Sequence, residues 1–224
     1  MTYILNIETA TTNCSVSLAK DGMQVAIRED RSPEYSHSEL LHQYIQEVMD
    51  EAQVSFGALG AIAVSKGPGS YTGLRIGVSA AKGLCFSLNI PLIAIATLEG
   101  MAYQVQEAFT YCIPMLDARR MEVYASVYDA TYTEVRATKA EIITEEAFSS
   151  WASKGKVILA GSGAEKCKAL IQHPNVHYNT ALMPSATALA ALSYAKYTND
   201  NFEDVAYFEP YYLKDFIVQQ KAQK

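Results

Sequence analysis

The chain has 224 residues, half of them hydrophobic and 19% charged, and its 24 acidic and 18 basic side chains leave a formal charge of −6. That length fits one large domain or two half-size lobes, and a mean hydropathy near zero leaves enough apolar material for a sizeable core. The acidic balance, with no block of Lys and Arg, excludes little but argues against a protein that grips nucleic acid alone, since such proteins neutralise several phosphates with a basic face.

In chain order, residues 3–7 form an apolar run. Cys14, Val16 and Leu18 then alternate with Ser15 and Ser17, the pattern of a half-buried strand. Asp21-Gly22 reads as a tight hairpin turn into a third strand near 23–30. Residues 36–53 repeat Leu40, Leu41, Tyr44, Ile45, Val48, Met49 and Ala52 as one stripe of a helix, and Ser36 with Glu39 predicts a capping box at its start. A short buried strand (60–65), a glycine loop (66–73), a helix over 72–88, a strand after Pro91 and a helix from Thr97 follow. The pattern then restarts. An apolar strand over 111–117 ends in Asp117 as the first ends at Glu8, and a second strand covers 121–128. The restart predicts a duplicated two-lobe α/β architecture. A helix near 145–153, a strand at 156–160, the loop Gly161-Ser162-Gly163, a short helix and a helix at 185–197 complete the second half, and the aromatic tail EPYYLKDF is expected to dock on the body.

Few stretches carry recognisable chemistry. The loop Lys66-Gly-Pro-Gly-Ser-Tyr-Thr-Gly73 joins a strand to a helix, where amides can meet an anion. Yet no GK[ST] follows and the third glycine is one residue late for GxGxxG, so on spacing it reads as a tight turn with Ser70 or Thr72 as helix cap. In the next helix Gly73, Gly77, Ala81 and Cys85 fall four apart, a smooth row that lets another backbone approach closely. The helix is apolar nearly all round, which fits a central core helix and an interface helix equally. His37 and His42 are five apart, and Pro174 lies between His173 and His177, so no metal site is expected. No GxSxG or HExxH is present. The turn Asp117-Ala-Arg119-Arg120-Met-Glu122 reads equally as a phosphate or carboxylate grip and as a salt-bridged turn at a lobe boundary. The four cysteines, Cys14, Cys85, Cys112 and Cys167, are far apart and without CxxC, as expected of reduced, buried thiols. The start MTYILNIETA has no basic n-region, and no run of about 18 apolar residues occurs, so a cytoplasmic chain without a membrane span is expected.

IETAT, KGPGSYTGLRIG and DARRMEVY occur in this order, with PYYLK near the end. Together they resemble the TsaB (YeaZ) family, an accessory subunit of the bacterial tRNA threonylcarbamoyladenosine machinery, across essentially the whole chain. The resemblance implies the two-lobe α/β fold of the actin, sugar-kinase and Hsp70 ATPase superfamily, each lobe a mixed sheet flanked by helices. It implies lobes at 1–105 and 106–224, with 208–224 packing back. It implies no catalytic or metal residues in this chain, and no cofactor of its own, with room for ATP or ADP at the complex interface. The partners it implies are a TsaD-like catalytic subunit, a TsaE-like ATPase, tRNA through the complex, and a second copy when alone. Pairing would use the helices at 36–53 and 72–88, with Leu40, Leu41, Tyr44, Gly73, Ile76, Gly77 and Ala80 as contacts. Gly77→Leu is therefore expected to block pairing without unfolding the chain. Glu8, Thr9, Asp117 and Arg119 mark a vestigial nucleotide site. Its first hairpin lacks glycine, Ala118 and Arg119 follow Asp117 where a glycine would let backbone wrap phosphates, and HSELLH has the wrong spacing for a TsaD-type metal HxxxH. Two rival readings remain. One is a stand-alone ATP-dependent phosphotransferase of the same fold, with Glu8 and Asp117 placing magnesium and water. The other is a peptidase, which older family names suggest but for which no nucleophile–base pair is visible.

Overall fold

The computed structural model describes residues 1–32 and 36–214. Strands β1 (Tyr3–Glu8), β2 (Cys14–Lys20) and β3 (Met23–Asp30) run antiparallel through the Asp21-Gly22 turn, where both residues take positive φ. Helix α1 (His37–Glu51) leads to β4 (Leu59–Ser65), α2 (Tyr71–Leu88) to β5 (Leu92–Ile95), and both strands join parallel to β1 in the order β3-β2-β1-β4-β5. After α3 (Thr97–Tyr103) the same plan repeats. Strands β6 (Tyr111–Asp117), β7 (Glu122–Asp129), β8 (Glu134–Ile142), β9 (Val157–Ala160) and β10 (Val176–Asn179) form a second sheet in the order β10-β9-β6-β7-β8. The short helices α4 (Ser149–Ala152) and α5 (Ala164–Cys167) belong to this half, and α6 (Ala186–Thr198) closes it. The duplicated α/β arrangement expected from the sequence is thus present strand for strand. Among the described residues no helix is long and apolar enough to cross a membrane.

The central strands of each sheet are buried on both faces, and the helices do not follow the division between the strands. On the first sheet, Leu5, Ile7, Val16, Ile62 and Val64 pack against Leu41, Ile45 and Val48 of α1 and Val78 and Ala81 of α2. The opposite face, with Ile4, Ala61, Ala63, Ile93 and Ile95, is covered by Leu189 of α6. The second sheet mirrors this. Ile113, Met115 and Val123 face Ala152 and Cys167 of its own helices, while Cys112, Leu116, Ile158 and Ala160 are covered by Leu98, Met101 and Ala102 of α3. Each half therefore lends its last helix to the seam with the other half.

This exchange explains one departure from expectation. Ser15 and Ser17 read as the solvent side of a half-buried strand, but β2 is buried on both faces. The Ser15 hydroxyl accepts from the Ala186 amide at 3.1 Å, and the Ser17 hydroxyl donates to the Ala186 carbonyl at 2.8 Å. The serines thus satisfy the open first turn of α6, which would otherwise leave buried polar groups unpaired. Other departures are local. The capping box does not form, because Ser36 donates to Asp30 at 2.8 Å and makes no side-chain cap. The helix expected over 145–153 shrinks to Ser149–Ala152, since Phe148 takes a left-handed φ of +64° at its start. All four cysteines are unpaired and buried, and burial pushes Cys14, Cys85 and Cys112 up to about 12 and Cys167 up to about 11.

The tail also crosses the seam. Val205 and Phe208 pack on the first core, Lys82 Nζ donates to the carbonyls of Ala206 and Phe208, and the Tyr211 amide donates to the Lys66 carbonyl at 2.7 Å. Lys214 then reaches Glu122 of the second sheet. The rest of the expected packing-back segment, residues 215–224, lies outside the described residues. Because Leu189 is buried between α6 and a sheet completed about ninety residues earlier, Leu189→Ala is expected to cost about 3 kcal/mol. Chemical denaturation read by circular dichroism checks this.

Candidate partner interface

Helix α2 is positioned by its first turn. Ser70 caps it, accepting from the Gly73 amide at 3.3 Å, and Asn89 ends it in a left-handed conformation. Its inner face, Gly73, Leu74, Gly77, Val78, Ala81 and Cys85, is buried. The row of small residues does admit a close backbone, but that backbone is the chain's own β1–β2 turn. A Cβ on Gly73 would lie 2.2 Å from the Thr9 carbonyl oxygen, and one on Gly77 would lie 2.3 Å from Thr9 Oγ1. Thr9 Oγ1 donates to the Gly73 carbonyl at 2.8 Å. Gly73 and Gly77 are therefore internal packing positions, and so is Leu41, which is fully buried in the first core. Leu40 and Tyr44 are half-buried against the same core.

The outer side of α2 is different. Thr72, Arg75, Ser79, Gly83 and Phe86 are exposed, and Ile76, Ala80 and Leu84 are half-buried. With Ser38 and His42 of α1 and Tyr71, most of these residues line an open, mainly apolar groove of about 760 Å³ between the two helices. Of the residues expected at the interface, Ile76 and Ala80 are brought together there. Two more were not singled out from the sequence. Gly83 sits mid-helix with nothing within 4 Å of where a Cβ would stand. Phe86, one turn on, is 85% exposed. A mid-helix glycine costs about 1 kcal/mol relative to alanine, and the fold of this chain offers no packing reason for Gly83. The signal was available, since Gly83 lies off the four-residue row that the other small residues follow.

The expected nucleotide residues fall into two separate pairs. Glu8 is fully buried at the end of β1 and accepts from the Ala10 amide at 2.6 Å. Burial pushes its pKa up to about 7, against hydrogen bonds from Ala10, Ser65 and Thr9 that lower it. Thr9 is committed to Gly73, and the Ala10 carbonyl accepts from the Ser70 amide at 2.7 Å. His37 Nε2 lies 2.6 Å from the Thr11 carbonyl, which can only accept, so that nitrogen carries the proton. The turn where a phosphate hairpin would open is thus clamped to α1 and α2. Asp117 and Arg119 meet on the second sheet, where the Arg119 amide donates to Asp117 Oδ1 at 2.6 Å and Lys166 pairs with the same oxygen at 2.7 Å. Among the described residues no hydrogen bond or ion pair joins Glu8 or Thr9 to Asp117 or Arg119. His37 and His42 also part, the first buried and the second lining the groove. Among the described residues no cluster of three or more His, Cys, Asp or Glu is placed to hold a metal ion.

Two mixed five-stranded sheets of one duplicated order, flanked by helices, define an α/β protein built from two like halves, the fold class expected from the sequence. Residues 32–221 match the family model described as TsaD, tRNA N6-adenosine threonylcarbamoyltransferase. The chain is 28% identical over 230 residues to the tRNA threonylcarbamoyladenosine biosynthesis protein TsaB of Escherichia coli (strain K12), covering 97% of each. It is 33% identical over 129 residues to the tRNA N6-adenosine threonylcarbamoyltransferase of Geobacillus kaustophilus (strain HTA426), covering 51% of this chain and 38% of that one. The solved YeaZ from Pseudomonas aeruginosa superposes with a TM-score of 0.82 at 26% identity, covering 95% of this chain and all of that one. The chain belongs to this family and, within it, to the TsaB/YeaZ group.

Two outcomes follow from the clamped turn. Gly77→Leu, expected from spacing to spare the fold, must instead displace Thr9, and even Gly77→Ala is expected to cost about 2 kcal/mol, read as a lower melting temperature of the lone chain. Glu8 has a folded pKa raised from 4.5 to about 7, so the folded state holds the extra proton between those values. Stability should therefore fall as pH rises from about 4.5 to 7, by at most about 3 kcal/mol, and level off above. Glu8→Gln should flatten that slope in denaturation series across pH.

Proposed function

We propose that this chain is a non-catalytic subunit of tRNA threonylcarbamoyladenosine formation that acts by pairing with a TsaD-like catalytic subunit through the α1/α2 groove. The observation that carries this reading is Gly83 beside Phe86. A helix-weakening glycine and a bare aromatic ring on one face, unexplained by the chain's own packing, suit a second helix seated in the groove. The local likeness to a threonylcarbamoyltransferase supports the choice of partner. A paralogue with a matching helix pair can pack face to face by pseudo-twofold symmetry, and the same geometry accounts for self-pairing when the partner is missing. The non-catalytic role is supported by the commitment of Glu8, Thr9 and Asp117 to internal contacts. In this reading tRNA and a TsaE-like ATPase are met through the assembly, any ATP or ADP lies at its seam, and the work is done in the cytoplasm, where tRNA is.

Gly83→Arg tests this reading. The position is open and arginine is the better helix former, so the lone chain should keep its melting temperature or gain slightly. Co-elution with a TsaD-type partner, and modification of tRNA by the reconstituted set, should both be lost. A Gly83→Arg chain that still co-elutes would overturn the groove as the pairing surface.

A further inference from the structure

The turn between β6 and β7 holds two arginines, and among the described residues neither guanidinium has a partner. Its acidic groups are taken by lysines: Asp117 by Lys166 and Glu122 by Lys214. Lys166, whose side chain is only 15% exposed, also donates to the carbonyls of Arg120 at 2.6 Å and Glu122 at 3.2 Å, so one lysine fixes the whole turn. Among the described residues no ion pair or side-chain hydrogen bond reaches the guanidinium of Arg119 or Arg120, and both residues are exposed. In a chain of net charge −6 these are two adjacent cations with no ionic partner among the described residues.

The backbone makes the choice of arginine costlier. Arg119 and Arg120 take φ of +69° and +50°, and the Glu122 amide closes the turn on the Arg119 carbonyl at 3.2 Å. Positive φ at such positions selects glycine or asparagine. Strained non-glycine residues persist where their side chains are needed. The turn also stands beside the groove. Lys214, bound to Glu122, is two residues from Tyr212, whose ring lies 4.9 Å from that of the groove residue Tyr71. Two residues span at most about 7 Å.

We propose that the Arg119–Arg120 turn is a phosphodiester contact that takes the RNA backbone at the edge of the paired assembly; this rests on the function proposed above. Two neighbouring planar forks suit a polyanion better than a single carboxylate, and their contribution is local, which reconciles the contact with an acidic chain.

The test uses the assembly reconstituted with a TsaD-type partner and titrated with tRNA across a salt series. Arg119→Asn/Arg120→Gly should weaken tRNA binding about tenfold and reduce the log–log salt slope by roughly 1.5 to 2. Pairing should be unchanged. The same variant should melt higher than the parent, because it relieves the left-handed strain, an outcome that a merely structural turn would share while leaving RNA affinity alone. Arg119→Lys/Arg120→Lys should keep most of the slope. Unchanged affinity and slope, in an assembly whose parent form binds tRNA, would overturn this contact and leave the pairing function standing. Weakened ADP binding with tRNA binding intact would also overturn it. A parent assembly that forms but takes no tRNA sinks both.

Discussion

Much of the molecule depends on how the turn at residues 9–11 is held. Three successive residues of this turn bond to the first turns of the two helices behind it: Thr9 to Gly73, Ala10 to Ser70 and Thr11 to His37. These contacts are short, buried and close to backbone, so they tolerate no added atom at Gly73 or Gly77. They fix where α1 and α2 start and hence the width and direction of the groove between them. They also spend the turn's own polar groups. The same residues serve as the mount for the helix pair.

The fold was legible because the strongest elements carry period and punctuation together. Asp21-Gly22 set the first hairpin, the stripe from Leu40 to Ala52 set α1, and the restart after Ile95 announced the duplication. What was missed lies at edges and seams. Strand β8 is half exposed and rich in charge, and β10 has four residues with no fully buried side chain, so neither shows an apolar alternation. Ser15 and Ser17 misled for the opposite reason. Their partner, the first turn of α6, is about 170 residues away, and local pattern cannot distinguish a hydroxyl facing water from one facing a helix end.

At the candidate interface, residue spacing located the helix but not the side it turns outward. Glycines four apart mark close approach and say nothing of whose backbone approaches. In α2 it is that of Thr9. The outward side is marked by what the core leaves unexplained, Gly83 with empty space around it and Phe86 with no cover. Such a signal is a mismatch between local cost and local benefit, which becomes visible only when the chain's own packing is known. The turn at Asp117–Glu122 is similar. Its charges balance on paper, and only the geometry shows that lysines take both carboxylates and leave the arginines without a partner among the described residues.

The exchange of helices across the seam has a consequence for the chain as it leaves the ribosome. The first sheet is complete at Ile95, yet the helix that covers its inner face begins at Ala186. At about 5–20 residues per second, the face bearing Ile4, Ala61, Ala63 and Ile93 waits uncovered for roughly 5–20 s during synthesis. The face is smooth and alanine-rich, with buried serines and Asn6 set among its apolar residues. That composition is less adhesive than a leucine-lined surface would be, which suits a sheet that must stay open until the last helix arrives.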